Sequence, residues 1–164
     1  MGERVSDGRT VVERKSEREL VVTRVFDGPV RLVFEAWTRP ELFQLWWAPK
    51  SSGVPMLSCE MDARTGGGYS VTFGKDAASA MTFFGKYLDV TPPSRLVWTN
   101  DENEEGAVTT VTFEEEEGDR TRLVLRELYP SKEALDESFV GMEDAMPEQF
   151  RQLDDLLAAQ GASA

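Results

Sequence analysis

The chain predicts an α+β fold, a curved antiparallel sheet closed by a long C-terminal helix, with two short helices at one end. Three observations carry this. Between residues 54 and 128, apolar side chains recur at every second position between short acidic or glycine-bearing turns, which is the period of half-buried strands. Ahead of that stretch, Pro29 and Pro40 head two short amphipathic segments, where a fixed φ suits the first helical turn. After it, Met142, Met146, Phe150, Leu153 and Leu157 recur at helical spacing and form one apolar stripe.

Taken in order, residues 1–17 are polar and aperiodic and predict a flexible N-terminal arm ahead of a single domain over 18–164. "ELVVTRVFD" (19–27) is β-branched and reads as a strand. Gly28 and Pro29 then open a helix whose Val30, Val33, Phe34 and Trp37 share one face. "PELFQLWW" from Pro40 predicts a second helix, stopped by Pro49. "MLSCEMD" (56–62), "GYSVTFG" (68–74), "MTFFGKYLDV" (81–90), "RLVWTN" (95–100), "AVTTVTFEE" (107–115) and "TRLVLREL" (121–128) predict six strands of an antiparallel meander. Ser131 is placed to cap the terminal helix, and Gly141 with Pro147 predicts a break or kink within 138–147.

Composition excludes several functions. The chain has 164 residues and a formal net charge of −12, so it lacks the basic footprint of a nucleic-acid binder or an anionic-membrane binder. No apolar run reaches the length of a membrane span, and the charged N-terminus is not a secretory signal. With Cys59 as the only cysteine, no internal disulfide can form, which fits a cytoplasmic location. There is no histidine, which removes the commonest general base and metal ligand, so neither a metal nor a cofactor is expected. "RTGGGYS" runs into strand-like residues rather than a helix, a turn and not a phosphate cradle. The acidic runs "DENEEG" (101–106) and "EEEEGD" (114–119) read as solvated hairpin ends.

The segments "RVFDGPVRLVFEAWTRPELFQLWWAPK", "CEMDARTGGGYSV", "GKYLDVTPPSRLVWT", "VTTVTFEEEEGDRTRLVLRE" and "MPEQFRQLDDLLAAQ", in this order, resemble the START-like (SRPBCC) superfamily. Within it they most resemble the branch homologous to the C-terminal domain of heat-shock-protein-90 ATPase activators. The resemblance implies a helix-grip fold, with the terminal helix lying across the sheet and a cavity between them. Members of the superfamily are mostly ligand binders, with cyclases and lipid carriers among them. Three positions depart from the pattern. Arg39 stands where an acid commonly precedes the second-helix proline, which leaves Thr38 to cap; "GKDAASAM" replaces an aspartate-glycine hairpin; and Pro147 falls inside the terminal helix.

Adjacent helical residues point about 100° apart, so Trp46 and Trp47 cannot share an environment. Either both staple the short helices to the sheet, or one lines the mouth of a cavity. In the second case Tyr69, Val71, Phe73, Phe83 and Trp98 form the cavity wall and Met142, Met146 and Phe150 its roof. At helical spacing the methionine and phenylalanine stripe is more often plain core. Glu60 and Asp62 lie on one strand face, as a rim pair with Arg64 or as acid–base groups alongside Glu127, Asp89, Tyr69 and Tyr87. No residue pattern assigns a catalytic role. The function expected is binding of a small hydrophobic ligand, with Trp46 and the wall and roof residues as ligand contacts. The alternatives are a cyclase- or dehydratase-type enzyme and a co-chaperone-like ATPase regulator. An open edge strand of such a sheet would offer a homodimer contact.

Overall fold

The computed structural model describes residues 4–7, 10–48, 53–101 and 106–163, without the side chains of 4–7, 77, 138–145 and 160–163. Its elements are β1 (Arg4–Asp7), β2 (Thr10–Arg14), β3 (Glu19–Phe26), α1 (Val30–Thr38), α2 (Pro40–Phe43), β4 (Met56–Met61), β5 (Gly68–Phe73), β6 (Met81–Thr91), β7 (Arg95–Thr99), β8 (Val108–Glu116), β9 (Arg120–Leu128) and α3 (Lys132–Ser163). The described strands form one antiparallel sheet in the order β1-β2-β3-β9-β8-β7-β6-β5-β4. Strands β4 to β9 are the expected meander, and β3 returns to pair with β9 along its whole length, from Glu19 opposite Leu128 to Phe26 opposite Thr121.

Two strands precede the first one expected. Residues 4–7 and 10–14 form a hairpin paired to β3, where the polar pattern of 1–17 had suggested an arm outside the sheet. The cause lies in the partner strand. Val12 is fully buried against the core, and the equally buried Thr10 accepts a 2.6 Å hydrogen bond from Arg24 of β3. A short strand with one apolar anchor has no period of its own to read.

Helix α1 begins after Pro29 and buries Val33, Phe34, Ala36 and Trp37 against β8 and β9. The second helix is a single turn. Thr38 does not cap it but turns its hydroxyl back to donate to the Phe34 carbonyl at 3.0 Å. The "GKDAASAM" segment holds a short 3-10 turn at Ala77–Ser79, whose Ser79 amide donates to Asp76. Residues 117–119 close a tight turn with Gly118 and Asp119 at positive φ. The 102–105 part of the first acidic run lies outside the described residues, as does Pro49.

Ser131 caps α3 as expected, accepting from the Ala134 amide at 3.1 Å. The helix then runs without a break through Gly141 and Pro147, against the interruption expected there. An interior proline costs about 3 kcal/mol. The same stretch buries Met146, Phe150, Leu153 and Leu157, each worth about 1.5–3 kcal/mol, so packing outweighs the lost hydrogen bond. This packing also places the helix. It rests on β2, β3 and α1, with the Phe150 ring edge-on to Phe26 at 5.4 Å. Asp154 pairs with the buried Arg24 guanidinium of β3. The helix therefore covers the β1–β3 side of the sheet, and the concave side of β4–β7 faces α1, α2 and the chain after them.

Candidate functional site

The meander explains how the site is built. Strand partners in an antiparallel ladder project to the same face. The pairs Met61–Tyr69, Val71–Phe83 and Tyr87–Trp98 therefore lay four strands' side chains onto one concave surface, joined by Phe73. Opposite them stand Trp37 of α1, Phe43 of α2, Trp47, Ala48 and Val54. Between the two surfaces is a recess of ≈ 380 Å³, whose lining also includes Asn100 and Gln149. Phe83, 36% exposed, stands at its mouth.

The two tryptophans divide as geometry requires. Trp46 is completely buried and its indole N–H donates to the Ala36 carbonyl at 2.9 Å, so it fastens the second turn to α1. Trp47 is partly exposed, stacks on Phe43 with centroids 4.9 Å apart, and lines the recess. Trp46, expected at the cavity mouth, thus belongs to the core, and its neighbour takes the place at the wall. Trp37 is the hub, with ring contacts to Trp46 at 4.8 Å, Trp47 at 5.8 Å and Trp98 at 5.9 Å.

Of the residues expected as ligand contacts, Tyr69, Val71, Phe73, Phe83 and Trp98 come together around the recess. Met146 and Phe150 do not, because α3 spends its apolar stripe on β3 and α1 and both side chains are buried in the core. The side chain of Met142 lies outside the described residues. In place of that roof, α3 contributes Gln149, whose Nε2 donates to the Trp47 carbonyl at 2.5 Å. Gln152 donates to the carbonyls of Trp46 and Ala48 at 2.8 and 3.0 Å. These two amides hold the wall segment onto the helix. Sequence reasoning missed both glutamines, since polar residues on a helix give no sign of what they reach. It also missed Trp37, Phe43 and Met61 as lining residues, although Trp37 sits on the apolar helix face it recognised.

The polar groups are few. Tyr69 donates its hydroxyl to the Thr99 carbonyl at 2.7 Å, with Asn100 Oδ1 at 3.3 Å. Gly85 allows this approach, since a Cβ there would overlap the same carbonyl. Asn100 Nδ2 donates to the Ala107 carbonyl at 2.6 Å and to Thr109 Oγ1 at 3.1 Å. Thr109 in turn donates to the buried Glu127 carboxylate at 3.0 Å, which also accepts from Tyr129. Burial, aided by the charges of Cys59 and Asp62, raises the Tyr87 hydroxyl above the ordinary tyrosine range, so it stays protonated. Burial pushes the Cys59 thiol up to about 11, with the Glu41 charge adding to it. Glu60 and Asp62 line a separate open depression with Lys86, and Asp62 forms the expected exposed pair with Arg64 at 2.9 Å. Among the described residues, no three His, Cys, Asp or Glu side chains are grouped to hold a metal. No described helix is long and apolar enough to cross a membrane.

Comparison with known structures reproduces this architecture. A Rhodobacter sphaeroides protein superposes with a TM-score of 0.81 at 26% identity, over 90% of this chain and 97% of that one. A Nitrosomonas europaea protein gives 0.78 at 23% identity, over 91% and 99%. An AHSA1-like protein from Aeromonas hydrophila gives 0.66 at 19% identity, over 82% and 92%. No curated protein matches the chain. Residues 27–158 match the family model described as activator of Hsp90 ATPase homolog 1-like protein. These residues hold α1, α2, the meander and most of α3, so the chain belongs to the AHSA1-like family of the START-like (SRPBCC) superfamily.

Proposed function

We propose that this protein binds a small apolar or aromatic molecule in the recess between the β4–β7 surface and the α1–α2 segment, with no catalysis assigned. One observation carries the proposal: a space of ≈ 380 Å³ bounded by eight aromatic side chains that the protein's own packing does not fill. Ligand pockets run to about 300–1,000 Å³ and are mostly apolar with a few placed polar groups. A recess of this size forgoes dispersion contacts that a guest would supply. A cytoplasmic location belongs to the same proposal, supported by the single cysteine.

Thermal-shift measurements against a panel of apolar and aromatic compounds test it. Binding to the folded state alone raises the melting temperature with ligand concentration; no stabilisation by any class would reject the proposal. Acid–base catalysis of the cyclase or dehydratase kind is less well served. The described lining holds no carboxylate, and Tyr87, held protonated, offers a hydrogen bond rather than a base. A regulatory role toward a chaperone ATPase rests on the family's description alone, and stimulation of that ATPase by the purified chain is its readout.

A further inference from the structure

We propose that the recess selects an uncharged aromatic molecule bearing a hydroxyl, and discriminates against carboxylates. The proposal rests on the recess being the ligand site and concerns the polar end of the ligand. The orientation of two amides carries it. A backbone carbonyl can only accept, so the amide face turned to it must be the NH₂. Gln149 meets the Trp47 carbonyl, which leaves its Oε1 as the group's acceptor on the recess wall. That oxygen makes no hydrogen bond among the described residues and is open to a ligand, since it is not among the buried unpaired polar atoms.

Asn100 is fixed the same way. Its NH₂ is spent on the Ala107 carbonyl and on Thr109, whose own proton goes to Glu127. Its Oδ1 faces a Tyr69 hydroxyl at 3.3 Å that gives its proton to Thr99 at 2.7 Å, and so retains capacity to accept. The wall thus presents two amide oxygens. It also presents two donors, the Tyr87 hydroxyl, which makes no hydrogen bond among the described residues, and the buried Trp37 indole N–H, which has no partner among them either. A ligand hydroxyl answers both kinds of group, because it donates to an amide oxygen and accepts from a phenol. A carboxylate answers only the donors. It has no proton for the amides, and no lysine or arginine is among the described lining residues to offset its desolvation. The net charge of −12 opposes it further.

The test uses three probes on one ring system: 2-naphthol, 2-methoxynaphthalene and 2-naphthoate, titrated at pH 7 by tryptophan fluorescence and calorimetry. A neutral hydrogen bond is worth a factor of about 2–10. The expected order is 2-naphthol tighter than 2-methoxynaphthalene by about fivefold, with 2-naphthoate weakest, and in Gln149→Met the ratio falls toward one. Equal binding of 2-naphthol and 2-methoxynaphthalene, or tightest binding of 2-naphthoate, overturns the hydroxyl preference while leaving the cavity as a ligand site; an unchanged ratio in Gln149→Met overturns the part given to Gln149. Failure of all three probes to bind overturns the preference and the ligand site together. The wild-type series decides by itself should Gln149→Met fail to fold.

Discussion

Trp46 and Trp47 are neighbours in sequence with opposite duties, and substitution separates them. Trp46→Phe removes the donor to Ala36 and part of a fully buried ring. It is expected to cost about 1–3 kcal/mol of stability with ligand affinity little changed. Trp47→Ala strips a wall of the recess and is expected to weaken ligand binding with a smaller effect on stability; urea unfolding and fluorescence titration of the two variants check this. Cys59 supplies a pH dependence. Its thiol is raised from an ordinary 9.0 to about 11, so the unfolded chain loses this proton at lower pH than the folded one. The corresponding stability is whole below about pH 9 and is lost as pH rises toward 11. Tyr87, also raised, extends the loss to still higher pH. Unfolding of Cys59→Ala followed from pH 8 to 11 is expected to show a shallower alkaline decline than the wild type.

At the scale of elements, the attachment of α3 matters most. Arg24 is 4% exposed and is held by Thr10 of β2 and by Asp154 of α3, so one guanidinium ties a strand hairpin to the terminal helix. Removing one partner of a buried pair leaves an uncompensated charge. Asp154→Ala is accordingly expected to cost about 3–5 kcal/mol, read as a lower denaturant midpoint with little change in slope. The elements of the meander were legible because each strand is half-buried and carries its period in its own residues; Tyr69, Val71 and Phe73 alternate with Ser70 and Thr72 and point as alternation says. The hairpin β1–β2 was not, because its place depends on β3 and on Arg24. Nor was the continuity of α3, because local proline chemistry is outweighed by contacts distant in sequence. The cavity wall could be read for the same reason as the strands. Its roof could not, because the turn of α3 over β3 rather than over β5 is set by Phe26, Asp154 and the two glutamines acting together.

Over the whole molecule, the two halves of the sheet serve different ends. Strands β2 and β3 carry α3, and β8 and β9 carry α1, with Trp46, Phe26 and Phe150 fully enclosed in the core. The β4–β7 side keeps an aromatic hollow facing the α1–α2 segment. The two are joined through Trp37, which lines the hollow and also packs against Phe150 of α3 with ring centroids 6.3 Å apart. The four tryptophans report on this division directly, since Trp37, Trp47 and Trp98 line the hollow and Trp46 does not. Their indole N–H signals in a ¹H–¹⁵N spectrum, assigned by single Trp→Phe variants and followed while 2-methoxynaphthalene is added, give the decisive measurement. The signals of Trp37, Trp47 and Trp98 are predicted to shift in a saturable manner while that of Trp46 moves least; an unmoved spectrum, or a largest shift at Trp46, would contradict an open ligand-binding hollow at this place.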